Sequence, residues 1–434
     1  MPGTTAKTLD GHGFLNVVSR AEFSALLATF APLGGESVPL GEVLGRVLAD
    51  DLPAPEDLPK TARASMDGYA LAARDAFGAT ETNPAYVDCV ADLRIDWSAG
   101  GRGEDAGWAV RLASGQAARI PTGGTLPEGA DAVVMVEYTD MLAAGQGAET
   151  LEVRKSVAPG ENVMLPGEDV RQGEAALPGG RILRAQDVGL LAALGQTRVR
   201  VGQRPRVGIL STGDELVPFS ATPRPGQIRD VNTSALACLA AAAGGLPECF
   251  GIVPDDLPRL TEALSQALAR CDVVLLSGGS SVGARDHTSA AMRAQPGAVI
   301  LAHGVAMSPG KPTILARVGR KAVIGLPGQV TSAQVVMTVL VKPFLRHLAG
   351  RTEALSAAPP PFVVELARNV AGRPGREDFV RVRLEPREGQ PPLAHPVLGK
   401  SGLLKTLLEA DGLVAVPASA EGLYKGLLAP VWPF

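Results

Sequence analysis

The chain has 434 residues, of which 46% are hydrophobic, 20% charged and 4% aromatic, and its formal net charge is −4. This length suits two to four domains with aliphatic cores, and the near balance of charge argues against a protein that coats nucleic acid or membrane. The amino-terminal residues lack the pattern of a signal peptide, and no apolar run approaches the roughly 18 residues of a membrane span. We therefore expect a cytoplasmic protein that binds neither nucleic acid nor membrane.

The four cysteines form no C-x-x-C pair, and the five histidines are isolated along the chain. A disulfide framework, a zinc site and a Ser-His-Asp triad are therefore not expected, and a reducing compartment fits best. Three of the four cysteines lie in apolar stretches, which predicts small core residues.

In the first half of the chain, the apolar spacing of RAEFSALLATFAPL and EVLGRVLADDL predicts helices within residues 20–50. The proline-rich DLPAPEDLPK that follows cannot be regular helix. Residues 85–150 hold short β-prone runs between glycine-rich turns, which predicts a small all-β module. Residues 160–201 contain several turns and then a helix that ends at Gly195.

In the second half, the apolar strands RVGILST, CDVVLLS, AVILAHG and KAVIGLP alternate with helical segments over residues 205–348. This alternation predicts a parallel sheet covered by helices on both faces, closed by a helix over 329–348. Residues 354–361 have the composition of a linker, and 362–434 predict a small, mostly-β terminal domain.

In open α/β sheets, ligands bind at the carboxyl ends of the strands, and STGDEL (211–216) ends the first strand. Ser211, Thr212 and the backbone around Gly213 can face an anion there, and Glu215 can hold a metal or a polar ligand. An ordinary capped turn accounts for the same residues, so both alternatives stay open.

SGGSSVGARD (277–286) is the most specific motif, because small residues directly after a buried strand bring backbone N–H groups close to a ligand. Its G-x-x-x-x-G spacing is that of a P-loop, but Asp286 stands where a P-loop continues with its lysine and hydroxyl residue. Asp286 is a candidate Mg²⁺ ligand beside substrate phosphates. The candidate substrate contacts in this motif are Ser277, Gly278, Gly279, Ser280, Ser281 and Gly283.

Three further loops follow predicted strands or precede predicted helices. GQIRDVNTSAL is typical of a phosphate contact and equally of a well-capped helix. In MSPGKPT, a rigid loop can direct a lysine at the same pocket, or the lysine can be an ordinary surface residue. GLPGQVTSA places hydroxyls in the first turn of a helix, where an anion fits. The candidates in these loops are Asp230, Asn232, Pro309, Gly310, Lys311, Thr331 and Ser332.

Two motifs lie outside the predicted α/β domain. SMDGYA carries Asp67, and PTGGTLPEGADAVV carries Thr122 before two glycines. Both are candidate ligand contacts, although each motif taken alone favours a turn.

In this order, GRVLADDL, ASMDGYA, PTGGTLPEGADAVV, STGDEL, GQIRDVN, SGGSSVGARD, SPGKP and GLPG resemble the molybdopterin molybdenumtransferase family, which includes bacterial MoeA and the E domain of gephyrin. The resemblance spans about residues 15–430. It implies a multidomain fold of α/β plus β type, an elongated chain of four domains. Those domains are a discontinuous mixed N-terminal domain (15–50 and 151–200), a small β-rich module (51–150), a three-layer α/β molybdopterin-binding domain (201–350) and a C-terminal β domain (360–434).

The activity that the resemblance implies is insertion of molybdenum from molybdate into adenylylated molybdopterin, with Mg²⁺-dependent release of AMP. It also implies a homodimer whose active site lies between the α/β domain of one subunit and the β module of the other. Transient contacts with the molybdopterin adenylyltransferase and with acceptor molybdo- or tungstoenzymes are further implied partners.

The resemblance also assigns site residues. The implied catalytic positions are Asp67, Thr122, Glu215, Asp230, Asp286 and Lys311, with Asp286 and Asp230 as Mg²⁺ ligands. The implied oxyanion contacts are Lys311, Ser332, Arg381 and Ser401, with Arg376 as an alternative to Arg381.

The chain departs from the family pattern beside the implied oxyanion pocket. Ser308 stands where a second lysine is common, and Gln329 and Val330 replace an Asn-Pro pair. Loss of one positive charge is expected to weaken anion binding or to change the preferred oxyanion. A tungstate-preferring paralogue and a scaffold-type binding protein of the same fold therefore remain alternatives.

Overall fold

The computed structural model describes residues 17–93, 110–142, 149–278, 287–356 and 362–434. The chain forms two compact units. The first comprises the chain up to Asp50, Gly179–Arg184 and Arg198–Phe434, and the second comprises Asp51–Pro178 and Ala185–Thr197.

The second unit is built around a six-stranded sheet. In spatial order its strands are Ala132–Met135, Gly68–Leu71, Gln116–Ile120, Ala85–Asp92, Glu149–Val153 and Thr139–Leu142. The remaining elements are the paired strands Arg63–Ala64 with Val163–Met164 and Leu52–Pro53 with Ala175–Leu177, the 3₁₀ turns Ala73–Ala76 and Val136–Tyr138, and the helix Ala185–Ala193. The β-rich character expected of residues 85–150 is confirmed in the described residues.

The first unit begins with the helix Arg20–Ala28, whose start is a capping box. The Glu22 N–H donates to Ser19 Oγ at 3.1 Å, and the Ser19 N–H donates to Glu22 Oε2 at 2.7 Å. Phe23 and Leu27 on this helix are fully buried, so local capping and tertiary packing agree on the predicted helix.

The stretch EVLGRVLADDL is not helical, so the helix expected there is wrong. After the 3₁₀ turn Leu40–Glu42, the chain runs through turns and single β-bridges. The Gly45 N–H donates to Leu183 O and the Leu48 N–H donates to Arg181 O, both at 2.8 Å. Pairing with residues 181–183 therefore replaces the helical hydrogen bonds. Val43, Val47 and Leu48 are buried as their spacing suggested, whereas Leu44 is exposed.

The α/β part of the first unit is a six-stranded sheet. Its spatial order is Leu246–Val253, Arg206–Thr212, Val273–Ser277, Lys321–Leu326, Ile314–Val318 and Ala298–His303. The first four strands are parallel, but Ile314–Val318 runs antiparallel to both of its neighbours. The expectation of a purely parallel sheet is therefore wrong at this edge, because a tight turn at Gly319 and Arg320 folds two strands into a hairpin.

Helices cover both faces of this sheet, as expected. On one face Leu236, Val336 and Phe344 pack with Ile209 in one apolar cluster. On the other face Leu264 belongs to a second apolar cluster. The helical segments are Asn232–Ala242, Leu257–Arg270, His287–Arg293, Val330–Val336, the π-helical turn Met337–Val341, and Lys342–Leu348.

The C-terminal part of the first unit is a second six-stranded sheet. Its order is Met307–Ser308, Glu377–Arg387, Gln390–Pro396, Val363–Leu366, Leu428–Pro433 and Gly412–Val416. A further pairing joins Glu377–Arg387 to Gly412–Val416, which closes five of the strands into a small barrel. Met307–Ser308 adds to this barrel in parallel with Glu377–Arg387.

Short elements complete the first unit. They are the paired strands Gly35–Pro39 with Arg198–Gly202, Leu216–Val217 with Ile228–Arg229, and Val370–Ala371 with Gly422–Leu423, the 3₁₀ turn Thr352–Leu355 and the helix Lys405–Leu408.

The cysteines are less buried than their apolar surroundings suggested. Cys271 is buried, and burial raises the pKa of its thiol to about 11. Cys89 is half-buried, whereas Cys238 and Cys249 are exposed, so the expectation of three core cysteines is wrong. Both exposed thiols lie on elements with one solvent-facing side, a helix and an edge strand. Among the described helices, none is long and apolar enough to cross a bilayer.

Candidate active site

The carboxyl edge of the parallel strands gathers three of the predicted loops. Asn232, at the start of its helix, donates through Nδ2 to Ser277 Oγ at 2.7 Å and to Gly328 O at 2.8 Å. Ser277 ends one strand and Gly328 follows another, so a single buried amide ties three loops together. Asn232 Oδ1 is buried and has no hydrogen-bond partner among the described residues. An acceptor is thus left facing this edge of the sheet.

Gly278 shows why the second loop begins with a glycine. Its φ is +113°, a conformation that favours glycine. A Cβ at this position would overlap the carbonyl oxygen of Thr212. The two strand ends therefore approach each other as closely as backbone allows. The predicted contacts Gly279, Ser280, Ser281, Gly283 and Asp286 lie outside the described residues.

Asp230 is buried and makes the hydrogen bonds of a helix cap. Its Oδ1 accepts from the Thr233 N–H at 3.1 Å, and its Oδ2 accepts from the Thr233 hydroxyl at 2.6 Å. Thr233 Oγ1 also lies 2.9 Å from Ser211 Oγ. Thr212 donates to Asp255 Oδ1 at 2.7 Å. The carboxylate at 230 and the hydroxyl at 211 therefore share one network at the sheet edge.

Glu215 lies beside Gly213 on the loop after the first strand. A Cβ on Gly213 would come within 2.7 Å of Glu215 Oε2. The absence of a side chain at 213 leaves room for the Glu215 carboxylate over the loop backbone.

A cavity of about 310 Å³ opens beside the C-terminal barrel. Its lining includes two of the predicted oxyanion contacts, Arg381 and Ser401, together with Arg376 and Ser308. Pro309, a predicted substrate contact, also lines it. The structure therefore brings the SPGKP loop together with two C-terminal segments, GREDFVR (375–381), which carries Arg381, and GKSG (399–402), which carries Ser401.

The guanidinium of Arg381 is held rigidly in this cavity. Its Nη1 donates to Thr406 Oγ1 at 2.9 Å and its Nη2 donates to Gly399 O at 2.8 Å. Burial lowers the pKa of Arg381 from its usual value. Both partners are uncharged, so the cation enters the cavity without a neutralising carboxylate of its own.

Lys311 and Ser332 are not part of this cavity's lining within the described residues. Lys311 is exposed on the loop that follows Pro309, and Gly310 before it has a φ of +124°. Ser332 is buried in the first turn of the helix Val330–Val336. The loop that carries Lys311 therefore reaches the cavity through Ser308 and Pro309, whereas no described residue of the helix start lines it.

The first turn of that helix is bonded to the motif that carries Ser401. The Thr331 N–H donates to Ser401 O at 3.1 Å, and the Thr331 hydroxyl donates to the same oxygen. The 310 Å³ cavity and the carboxyl edge of the α/β sheet are thus joined by direct hydrogen bonds.

In the second unit, Asp67 and Thr122 are in contact. Asp67 Oδ1 accepts from the Thr122 N–H at 2.6 Å and from the Thr122 hydroxyl at 2.8 Å. The backbone hydrogen bond, followed by the hydroxyl, lowers the pKa of Asp67 from its usual value. Asp67 and Arg119 also line a cavity of about 600 Å³. Two motifs that are 55 residues apart in sequence therefore form one charged site.

Arg373 and Asp378 line this cavity but were not among the site residues predicted from the sequence. Arg373 lies three residues before Arg376 in the stretch AGRPGRED. The clustering of basic residues around a Pro-Gly turn was the available signal. Turn composition alone does not say which way the arginines point, so the structure was needed to find them.

Three family models match the chain in succession. The MoeA N-terminal region (domain I and II) matches residues 18–195, a probable molybdopterin binding domain matches 208–347, and the MoeA C-terminal region (domain IV) matches 363–434. Their boundaries agree with a chain of several domains, and the multidomain α/β plus β class is confirmed.

Relatives and a solved structure are similar over nearly the whole chain. Molybdopterin molybdenumtransferase of Bacillus subtilis (strain 168) is 32% identical over 394 residues, which covers 90% of this chain and 88% of that protein. Molybdopterin molybdenumtransferase 2 of Mycobacterium tuberculosis (strain H37Rv) is 32% identical over 406 residues, with 91% and 94% covered. The crystal structure of a molybdopterin biosynthesis MoeA protein from Pyrococcus horikoshii OT3 matches with a TM-score of 0.79 and 30% sequence identity. The match covers 96% of this chain and 100% of that one. The chain therefore belongs to the MoeA family of molybdopterin molybdenumtransferases, which are transferases of molybdenum cofactor biosynthesis.

Proposed function

We propose that this chain inserts molybdenum from molybdate into adenylylated molybdopterin and releases AMP in a Mg²⁺-dependent cleavage of the phosphoanhydride. The observation that carries the proposal is the cationic cavity at Arg381 and Ser401, bonded through Thr331 to the carboxyl edge of the α/β sheet. Such a cavity can hold an oxyanion, and the adjoining sheet edge can hold a phosphate-bearing pterin.

Molybdate is a small tetrahedral dianion, and the cavity suits it. Arg381 enters with uncharged partners, so its charge is available to an anion. Ser401 and Ser308 also line the cavity, and each adds a hydroxyl that can donate. A hydrogen bond between a charged and a polar group contributes about 1.5–3 kcal/mol, so a few such contacts give useful affinity for a freely diffusing anion.

Mg²⁺ fits the donors at the sheet edge. Within the described ranges, no group of three or more His, Cys, Asp or Glu side chains is arranged to hold a metal. Mg²⁺ does not need such a cage, since it takes one or two carboxylates together with substrate phosphates and water. Asp230 would supply one carboxylate, and we propose Asp286 as the second. When bound, Mg²⁺ neutralises charge on the phosphoanhydride.

The proposed residues bind, orient and exchange hydrogen bonds; none needs to act as a nucleophile. Ser211, Thr212 and the backbone at Gly278 line the edge where the phosphates are expected. The buried Oδ1 of Asn232, which has no partner among the described residues, is available to accept a hydrogen bond from the substrate at the same edge. We also propose that Asp67, kept ionised by Thr122, and the exposed Lys311 contribute to this reaction.

Direct assay of the purified chain tests the proposal. With adenylylated molybdopterin, Mg²⁺ and molybdate, we expect AMP release that depends on both ions and a product that activates an apo-molybdoenzyme. Lys311→Ala is expected to lose this activity, whereas Lys425→Ala, which removes an exposed lysine outside the cavity lining, should keep it. Absence of AMP release by the unaltered chain under these conditions would overturn the proposal.

Tungstate is the competing substrate, because it has the same tetrahedral shape and charge as molybdate. The observation behind this alternative is Ser308, which lines the cavity where the family commonly has a second lysine, so that one positive charge is missing. Equimolar competition at limiting concentration, followed by metal analysis of the product, separates the two. Preferential tungsten incorporation would support a tungsten cofactor, and preferential molybdenum incorporation would remove this alternative.

A further inference from the structure

Three arginines line the oxyanion cavity, and two of them already use part of their guanidinium donors within the protein. Arg376 Nη2 lies 2.9 Å from Asp378 Oδ1 in an ion pair. Arg381 spends Nη1 and Nη2 on Thr406 and Gly399. For Arg373, the described residues offer its guanidinium no hydrogen bond or ion pair. Arg373 is therefore the cation of this cavity whose donors are all available.

Asp378 builds the turn that carries Arg373. Its Oδ2 accepts from the Arg373 N–H at 2.8 Å, while its Oδ1 pairs with Arg376. Asp378 is 9% exposed and lies opposite Ser308 in the parallel pairing of two strands. The backbone at 373 is thus fixed relative to the loop that begins at Ser308, while the side chain stays free.

The charge of the lining points the same way. Arg373, Arg376 and Arg381 carry three positive charges and Asp378 carries one negative charge, which leaves a net charge of +2. Without Arg373 the lining would carry +1. The charge of the lining itself therefore matches that of a dianion when Arg373 is counted.

We propose that Arg373 is a further oxyanion-binding residue of this cavity and that Asp378 positions it. The inference rests on the proposed function, because it assigns a residue to the same oxyanion site. Arg373 acts as a mobile donor at the rim, whereas Arg381 is a fixed one inside. Its contribution is to affinity for the oxyanion and not to the rate at saturation.

Calorimetric titration of the full chain with sodium molybdate tests the inference, with AMP release as a second readout. Arg373→Gln is expected to raise the Kd about tenfold, as loss of one charge-assisted hydrogen bond would. The molybdate concentration for half-maximal AMP release should rise with it, while the maximal rate stays unchanged. Because the Arg373 side chain is exposed and has no partner in the described residues, the variant should fold normally.

Two variants sharpen the result. Arg259→Gln removes an exposed arginine outside the cavity lining and should leave the Kd unchanged, which separates a local contact from net charge. Ser308→Lys combined with Arg373→Gln returns a positive charge to the lining and should recover part of the affinity.

The outcomes distinguish this inference from the proposed function. Normal molybdate binding and normal half-saturation by Arg373→Gln would overturn the role of Arg373 and leave the oxyanion site intact. No molybdate binding and no molybdate-dependent AMP release by the unaltered chain would overturn the oxyanion site, and the role of Arg373 with it. An equal loss of affinity in Arg259→Gln would also contradict a local contact.

Discussion

At the scale of single residues, Asp67 is the clearest case of a carboxylate prepared by its neighbour. Two donors from Thr122 favour its ionised form, so its pKa lies below the ordinary value of 3.8. Since the folded pKa is the lower one, the stabilisation is in place at neutral pH. It is lost only as the pH falls below that ordinary value and through the folded pKa. Asp67 is thus charged throughout the physiological range.

Thr122→Val removes the hydroxyl donor and keeps the backbone N–H. We expect the pKa of Asp67 to rise toward 3.8 without reaching it, because the backbone bond is the larger cause of the shift. Titration of the Asp67 side-chain carbon by NMR measures this. Thr150→Val, on a strand of the same sheet, is the matched control and should change nothing. An unaltered pKa in Thr122→Val would contradict the assigned hydrogen bond.

Asn232 is the second residue whose replacement has a defined cost. Asn232→Ala removes both bonds to Ser277 and Gly328 and leaves the buried hydroxyl oxygen of Ser277 without this donor. A loss of about 1–3 kcal/mol in the free energy of unfolding is expected, measured as a lower melting temperature. Ser234→Ala, at an exposed position of the same helix, should be close to neutral. Equal melting temperatures for the two variants would show that the amide does not hold the loops together.

At the scale of elements, the alternation of strands and helices was predictable because buried strands and amphipathic helices leave strong local patterns. The hairpin Ile314–Val318 with Lys321–Leu326 was not. Its first strand follows directly after the motif MSPGKPT, whose prolines and glycine predict a loop. The helix expected in EVLGRVLADDL also failed, since its apolar spacing reports burial while its backbone pairs with a distant segment. A local apolar pattern therefore predicts which side chains are buried better than it predicts which segments pair.

The residues of the candidate site also differ in whether a local motif or a long-range contact identifies them. Arg381 and Ser401 could be assigned from motifs, and the structure brings both to one cavity. Arg373 could not, because only the turn built by Asp378 directs it there. Thr331 was noticed as a hydroxyl in a helical first turn, yet its bond to Ser401 joins segments that are 70 residues apart. Contacts of this range depend on how the domains pack.

The loop after the strand Val273–Ser277 gives a prediction at the element scale. Gly278→Ala places a Cβ against the carbonyl oxygen of Thr212, which is backbone and cannot move aside cheaply. Gly297→Ala also falls at a positive φ, +69°, but has open space around it. We expect Gly278→Ala to be less stable than Gly297→Ala by about 1–3 kcal/mol, as forced backbone shifts usually cost. AMP release should fall only in Gly278→Ala, and similar effects in both would contradict the close approach of the two strand ends.

At the scale of the whole molecule, the resemblance to the family leads us to propose a homodimer in which each active site draws on both subunits. Sedimentation equilibrium is expected to give twice the mass of one chain. Asp67→Asn and Lys311→Ala chains, each inactive alone, should regain part of the activity when mixed dimers are formed. One site of a mixed dimer then combines an intact Asp67 from one chain with an intact Lys311 from the other.

Mixed dimers of Asp67→Asn with Thr122→Ala provide the matched control for that experiment, because both changes affect the same pair of motifs and cannot complement. Isolated mixed dimers of Asp67→Asn and Lys311→Ala that stay inactive would contradict a shared site. A chain that sediments as a monomer would contradict the dimer itself.

The strand Met307–Ser308 belongs by sequence to the α/β part and by hydrogen bonding to the C-terminal barrel. A recombination point placed in the linker region would therefore separate the barrel from one of its own strands. Chimeras that exchange the C-terminal domain between relatives should tolerate the junction better if residues 307–308 travel with the barrel. The module that must be exchanged to keep the proposed oxyanion cavity is then discontinuous in sequence. Its two segments contribute Ser308 and Asp378, which lie opposite each other in the strand pairing.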